Sequence, residues 1–139
     1  MSRTDEFLAG ERPEDVAIYL SSDSVDDLGK LAAYGEETAA GVVLTVPGDS
    51  GRSAFSKVAG TDAMAFAKEA MDAEGEIDAD LSGGACPACG ADDVRYTFAF
   101  AEEENDEVGG LYAEGDVIHA YARCGCSVAF SDRWVAGER

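Results

Sequence analysis

Four cysteines, all in the last third of the 139-residue chain, are the residues whose type and spacing point to chemistry. Cys86 and Cys89 belong to a Cys-Pro-Ala-Cys-Gly run, and Cys124 and Cys126 are separated only by Gly125. Four thiolates from two short turns satisfy a tetrahedral zinc ion and leave no open position, which is the arrangement of a structural site. We therefore expect these four side chains to bind one Zn2+ together.

The first cysteine turn resembles the first knuckle of a zinc ribbon, a family in which such a Cys-x-x-Cys-Gly turn supplies two metal ligands. This resemblance implies that Cys86 and Cys89 form the first ligand pair. The second turn departs from the zinc-ribbon pattern because it has one residue between its cysteines where the pattern has two. Together with the acidic N-terminal half, the ribbon also resembles small haloarchaeal proteins of unknown function, a likeness that implies no assigned activity.

Two neighbours of the cysteines are expected to offset the negative charge of a four-thiolate centre. Gly90 permits a turn tight enough for a backbone N–H to reach a thiolate, and Arg123 stands next to Cys124. His119, the single histidine, lies on the opposite parity of its predicted strand from Cys124. We expect His119 to be a partly exposed sheet residue and not a ligand.

Two other uses of the cysteines stay open. Cys-x-x-Cys is also an oxidoreductase motif, so Cys86 and Cys89 are candidates for a redox dithiol. That motif normally opens a helix after a strand, whereas here it follows a glycine-rich stretch and precedes a predicted antiparallel strand. Four thiolates also suit iron in a rubredoxin-like centre, although the one-residue second spacer fits this less well.

Hydrophobic periodicity predicts the elements that must position these turns. In the N-terminal half, short apolar runs predict strands at residues 16–20 and 41–46. Helices are predicted from Ser24, around 53–58 and from Thr61, where apolar residues recur at helical spacing. These elements make up a β-α-β-α-α unit.

The C-terminal part predicts three antiparallel strands at residues 94–100, 117–123 and 128–134. The fold class is therefore α+β, with the N-terminal unit followed by a three-stranded antiparallel, zinc-ribbon-like sheet. An acidic and then glycine-rich stretch predicts a boundary that gives units 1–81 and 82–139, or else one compact domain. Six aromatic residues are expected to form the core of the small sheet, with one row facing inward: Tyr96, Phe98, Phe100, Tyr121, Phe130 and Trp134.

Two motifs around residues 47–53 are weak. Gly48-Asp49-Ser50-Gly51 resembles the nucleophile motif of chymotrypsin-like proteases, but the two-barrel length is absent and a turn is expected instead. The same stretch resembles a shortened phosphate loop, with Arg52 in place of the usual lysine. The interpretation that survives is an anion site at the start of the following helix, for which a plain turn is the simpler alternative.

Charge and hydropathy bound the environment and the partners. The chain has 29 acidic and 10 basic residues, a net charge of -19, spread along its length. Such self-repulsion destabilises a compact state in dilute buffer and is screened in molar salt, so we expect a salt-adapted protein whose melting midpoint rises with KCl. Residues 1–12 are polar, are expected to be frayed and lack a signal-like apolar stretch, and no run suits a membrane span. We expect a cytoplasmic location.

These observations lead to a non-enzymatic interaction or adaptor module on a structural zinc site, with protein as the partner. Nucleic acid is disfavoured by the acidic charge, because binding to phosphates needs lysine and arginine. A nucleic-acid, transcription or translation role stays open because zinc ribbons often serve those machineries. The remaining alternative is a thiol-disulfide or metal-handling protein that uses Cys86 and Cys89. No set of convergent catalytic side chains is evident in the sequence.

Overall fold

A computed structural model describes residues 3–11, 14–21, 36–37, 41–59, 62–78, 81, 83–90, 94–102, 107, 113 and 115–136. The helices of this part of the chain are α1 (Arg3–Leu8), α2 (Gly48–Ala59) and α3 (Ala63–Ala70). Its strands are β1 (Asp15–Ser21), β2 (Glu36–Glu37), β3 (Gly41–Pro47), β4 (Glu76–Ile77), β5 (Gly84–Ala85), β6 (Val94–Glu102), β7 (Val117–Cys124) and β8 (Ala129–Val135). The predicted α+β class is confirmed.

Five long strands and the two-residue β2 form one antiparallel sheet in the order β2-β3-β1-β6-β7-β8. The predicted strands at 94–100, 117–123 and 128–134 are present as β6, β7 and β8. The expectation of a separate three-stranded sheet is wrong, because β6 also pairs with β1. All seven residues of β1 are buried, so both faces of this strand are covered. The strand pairs with β3 at one edge and with β6 at the other. The division into units 1–81 and 82–139 stays a prediction.

Each face of the sheet carries its own apolar cluster. One cluster lies between the sheet and the helices α2 and α3, and it contains Phe55, Phe66 and Phe98. The opposite face carries Phe7 of α1, Ile77 of β4 and the buried cysteines. The six aromatic residues of the C-terminal strands are therefore divided between two faces, not aligned in one inward row.

The N-terminal helices correct three expectations. Residues 3–8 are helical, not frayed, because Phe7 is fully buried against the sheet. Helix α2 begins at Gly48, where a turn was expected. The helix packs closely on β1, because an added Cβ at Gly51 would lie 2.1 Å from Val16 Cγ2. The N-cap of α3 is Asp62, whose carboxylate accepts from two backbone N–H groups of the first turn. The cap was expected at Thr61, which lies outside the described residues.

The helix predicted from Ser24 also lies outside the described residues. None of the helices in the described ranges is long and apolar enough to cross a bilayer.

Candidate metal centre

The two cysteine turns meet at one end of the sheet. The four Sγ atoms lie within 4.8 Å of one another, and every cysteine is a free thiol. Two close separations join one turn to the other: the Sγ atoms of Cys86 and Cys126 are 3.7 Å apart, and those of Cys89 and Cys124 are 3.5 Å apart. Strands β6 and β7 span the chain between the turns, as the sequence spacing predicted.

A hairpin beside the edge strand β8 positions the first turn. The Gly75 N–H donates to the Ser131 carbonyl at 2.9 Å, and the Ile77 N–H donates to Asp132 Oδ2 at 3.1 Å. β4 then pairs with β5, which ends directly before Cys86. The path of the chain from α3 to the first cysteine is thereby fixed against β8.

Gly75 allows the first turn to approach this segment closely. A Cβ at this position would lie 2.7 Å from Phe130 Cδ2, 2.9 Å from Pro87 Cδ and 3.0 Å from the Ala85 carbonyl oxygen. These distances are shorter than ordinary van der Waals contacts, so a side chain at Gly75 would push the cysteine turn away from β8.

The first turn closes on itself and directs N–H groups at a sulfur. The Gly90 N–H donates to the Cys86 carbonyl at 2.9 Å, and Gly90 has a φ of +73°, which glycine adopts without strain. Burial raises the pKa of the Cys86 thiol, but hydrogen bonds from the backbone N–H groups of Cys89 and Ala88, helped by Cys126, outweigh it and lower the pKa to about 7. The fold therefore favours a thiolate at Cys86.

The second turn connects β7 to β8 and has a related geometry. The Ser127 N–H donates to the Cys124 carbonyl, and the Cys124 N–H donates to the Val128 carbonyl, both at 2.9 Å. Ser127 has a φ of +80° and so occupies the left-handed region directly after the second cysteine, as Gly90 does in the first turn. The one-residue spacer thus keeps the closing conformation of the first turn.

The thiols of the second turn hold their protons more tightly. Burial raises the pKa of Cys124 to about 12, against the hydrogen bond from the Cys126 N–H. The Val128 N–H lowers the pKa of Cys126, but burial and the neighbouring thiols of Cys89 and Cys86 raise it overall. In each turn the first cysteine is buried and the second is exposed, so an ion bound here would be reached by solvent from one side only.

Arg123 supports the second turn through its backbone. Its guanidinium donates to Tyr96 Oη at 2.6 Å, to the Ser127 carbonyl at 2.7 Å and to the Glu69 carboxylate. It also lies over the ring of Phe66, 5.4 Å from the centroid. The expected contact of Arg123 with the sulfurs is therefore replaced by a bridge from α3 and β6 to the residue that closes the turn.

The other predicted site residues lie away from the sulfurs. His119 is partly buried, stacks on Phe100 with the centroids 5.1 Å apart, and pairs through Nε2 with Glu102 at 2.9 Å. The four cysteines form the cluster of potential ligands in the described part of the chain, and His119 is not one of its members. Ser50 and Arg52 are exposed in the first turns of α2, and the Gly48 N–H donates to the Glu14 carbonyl.

Sequence reasoning missed the residues that hold the first turn in place. Gly75, Ser131 and Asp132 act across about 55 residues of chain, and the pairing register that joins them has no local signal. The glycine itself was visible in the sequence, but its necessity follows only from the approach of Pro87 and Phe130.

Comparison with known proteins places this site inside a family. A family profile described as a family of unknown function (DUF5807) matches residues 35–137. The chain belongs to DUF5807. The match contains both cysteine turns and every strand of the sheet except β1, which lies before residue 35 and yet occupies the middle of the sheet. No curated protein and no solved structure matches the chain.

Proposed function

We propose that this DUF5807 protein is an interaction module whose four cysteines bind one Zn2+ in a structural site. The observation that carries the proposal is the convergence of the sulfurs from two turns. A tetrahedron with Zn–S bonds of about 2.3 Å has S···S edges of about 3.8 Å. The separations of 3.5 Å and 3.7 Å between sulfurs of the two turns are close to that edge length.

The surroundings of the sulfurs support binding of a cation. A Zn(Cys)4 centre carries a net charge of about -2, which needs donors around it. Backbone N–H groups of Ala88, Cys89, Cys126 and Val128 point at three of the four sulfurs. Since four thiolates fill a tetrahedral coordination sphere, the ion would hold the two turns together and would not present an open position to a substrate.

Metal and thiol analysis of the purified protein tests this proposal. Elemental analysis of protein kept in molar KCl is expected to give one zinc per chain, and thiol titration is expected to be slow until a chelator is added. The matched variant Cys126→Ser removes an exposed ligand and should bind zinc more weakly, whereas Ser127→Gly should retain it. Metal-free protein whose four thiols all react rapidly would overturn the zinc site. One iron per chain would show that the site binds iron in place of zinc.

A second candidate is a thiol-disulfide protein that uses Cys86 and Cys89. The lowered pKa of about 7 at Cys86 favours it, because the thiolate is the reactive form. Against this, Cys86 is buried and its partner Cys89 is the exposed residue, so the better nucleophile is the less accessible one. Measured turnover of a disulfide substrate that survives in Cys126→Ser would favour this candidate.

The charge of the chain indicates which partners the proposed interaction module would bind. Partners with a positive or neutral surface are expected, because the chain itself is strongly negative. With a net charge of -19, the chain repels nucleic-acid phosphates, which supports a protein partner over RNA or DNA. Retention of the protein on a polyanion resin at low salt would contradict this preference.

A further inference from the structure

The four sulfurs of the metal centre are not equally open to solvent. Cys89 and Cys126, the second cysteine of each turn, are exposed, whereas Cys86 and Cys124 are buried. A small oxidant in solution therefore reaches one sulfur of each turn directly, while protein shields the other. Oxidation of cysteine begins at an accessible thiolate, and a cysteine that binds a metal is deprotonated. The outer side of the centre is thus open to oxidation.

Each exposed sulfur lies beside the buried sulfur of the other turn. The Sγ atoms of Cys126 and Cys86 are 3.7 Å apart, and those of Cys89 and Cys124 are 3.5 Å apart. A disulfide bond is about 2 Å long, so the sulfurs of either pair need to approach by only about 1.5 Å to form one. A sulfenic acid on an exposed cysteine therefore has a second sulfur within reach as soon as it forms.

Four cysteines can form two disulfides in three ways, and the chain favours one of them. Pairing within the turns requires a bond between Cys124 and Cys126, which closes a ring through the single residue Gly125 and strains so short a turn. Pairing Cys86 with Cys124 joins two buried sulfurs, which an oxidant in solution does not reach. The remaining pairing uses the two close contacts between the turns, and each of its bonds joins one exposed and one buried sulfur.

Contacts that do not involve a metal hold both turns in place. For the first turn, the Ile77 N–H donates to Asp132 of β8, and β4 pairs with β5 directly before Cys86. For the second turn, the guanidinium of Arg123 donates to the carbonyl of Ser127, the residue that closes it. These contacts keep the sulfurs of the two turns opposed when an ion leaves. Disulfides between the turns then join the same two segments of chain that the metal joined.

We infer that the centre is a reversible redox switch, in which a peroxide releases the zinc ion and joins the turns through the disulfides Cys86–Cys126 and Cys89–Cys124. The inference concerns the regulation of the proposed zinc site and rests on that site. Because the disulfides tie the turns in the positions that the metal requires, the sheet stays folded without zinc. Reduction of both disulfides restores four thiols in the same place, and the site binds zinc again.

The oxidation balances with the peroxide as the only oxidant. In each pair, the exposed thiolate attacks the O–O bond of the peroxide, and it becomes a sulfenic acid as hydroxide leaves. The buried thiolate then attacks this sulfur, forms the S–S bond and displaces a second hydroxide. For the whole centre, four thiolates give four electrons to two molecules of hydrogen peroxide, and the products are two disulfides, four hydroxides and one free Zn2+.

Titration of the zinc-loaded protein with hydrogen peroxide in molar KCl tests the switch. Free zinc is followed with a chromogenic chelator too weak to remove the ion from untreated protein, and each zinc released should accompany the loss of four thiols. Met64 and Met71, which are 50% and 62% exposed, report that the oxidant is active, because peroxide converts them to sulfoxides. A phosphine reductant, which reverses the disulfides but not the sulfoxides, should restore zinc binding.

Tryptic digestion of the oxidised protein without reductant tests the pairing. Cleavage after lysine and arginine leaves the first turn in fragment 69–95 and the second turn in fragment 124–133. Disulfides between the turns should link these fragments, whereas disulfides within the turns would leave them separate.

Two matched double variants test which cysteines pair across the turns. Cys89→Ser with Cys124→Ser keeps one exposed and one buried cysteine, whereas Cys89→Ser with Cys126→Ser keeps only the buried two. The first variant should form its disulfide about tenfold faster than the second or more, because the oxidant reaches one of its sulfurs directly. Equal rates would contradict the proposed pairing.

Thermal unfolding of the oxidised protein completes the test. Its melting midpoint should lie about 5 °C or more above that of reduced protein stripped of zinc, because each disulfide closes a loop of more than 30 residues. Equal midpoints, separate tryptic fragments, or zinc that stays bound after both methionines are oxidised would each overturn the switch. Zinc content before peroxide is added separates the two proposals. Protein that carries no zinc fails the proposed site itself, whereas protein that carries zinc and keeps it fails only this inference.

Discussion

The cysteine end of the sheet and the groove beside α3 are built by different means. At the cysteine end, four residues of one type are brought within 4.8 Å by two turns, and each turn closes through a residue with left-handed backbone. The groove, a cleft of about 670 Å3 between α3 and the strands β6, β7 and β8, is lined by unlike residues from one helix, three strands and a connecting segment. The first region depends on specific bonds that few substitutions can replace, whereas the second depends on the surface left by ordinary packing.

This difference gives the two regions unequal shares in the stability of the protein. A bound ion would cross-link the ends of β5, β7 and β8 and fix the sheet on which the groove lies. Groove residues such as Met64 and Met71 remain half exposed and contribute little to the core. Substitutions at the cysteine end should therefore change the free energy of unfolding, and substitutions at exposed groove residues such as Met64 and Met71 should leave it nearly unchanged.

Metal removal should produce the largest effect. Apparent zinc-binding free energies in zinc-finger peptides are about 10–16 kcal/mol, comparable with the whole stability of a small domain. We expect chelation, or Cys124→Ser, to lower the melting midpoint by at least about 10 °C, since 1 kcal/mol corresponds to a few degrees at this chain length. Scanning calorimetry in molar KCl, with Met71→Leu as the groove control, checks this. Equal midpoints with and without chelator would remove the contrast between the regions.

Gly75→Ala should have the next largest effect, because Gly75 belongs to both regions. It lines the groove, and its absent Cβ leaves room for Phe130 and Pro87. The added methyl group should cost about 1–3 kcal/mol by displacing the first cysteine turn, which denaturant unfolding would measure. Zinc affinity should fall with it. A variant as stable as wild type and with unchanged zinc affinity would show that the turn tolerates movement away from β8.

Gly90→Ala should cost about 1 kcal/mol, because an alanine in the left-handed region is strained. Apart from Gly90 and its chain neighbours, no atom of the described residues lies within 4 Å of the position of the added Cβ, so the cost is one of backbone conformation. The matched change in the second turn, Ser127→Gly, relieves the same strain and should not destabilise the protein. Equilibrium unfolding of the two variants compares the turns directly. A neutral Gly90→Ala would mean that the first turn has a conformation other than the one described.

The cysteine end could be predicted from the sequence because its information is local. Residue type and spacing identified Cys86, Cys89, Cys124 and Cys126, and alternation of apolar residues located β6, β7 and β8. Their convergence follows from two strands joined as a hairpin. The local conformation of α2 was missed at Gly48, because glycine signals a turn and the close packing of Gly51 against Val16 appears only in three dimensions.

The remainder could not be predicted because it depends on contacts distant in the chain. The pairing of β1 with β6 joins Ile18 to Phe98 and makes the expected three-stranded sheet part of a larger one. Helix α1 is fixed by the burial of Phe7, which a polar N-terminal sequence does not reveal. The groove brings Met64 and Arg133 together across about 70 residues, so no motif marks it.

The smallest expected effect lies in the groove and depends on pH. Burial lowers the pKa of His119, partly opposed by its pairing with Glu102 and reinforced by the positive charge of Arg133. As pH falls through the ordinary histidine value of about 6.5, the unfolded chain takes up this proton before the folded chain does. The free energy of unfolding therefore decreases as pH falls through this window and the stabilisation is retained above it.

The contribution of His119 is measured as a difference from His119→Gln, because the many carboxylates of the chain also respond to acid. Between pH 7.5 and 5.5, wild type should lose stability relative to His119→Gln, as followed by urea unfolding in molar KCl. Glu102→Gln removes the group that raises the histidine pKa, so it should widen the loss. A wild-type protein that gains stability relative to His119→Gln over this range would show that Glu102, not burial, controls the histidine.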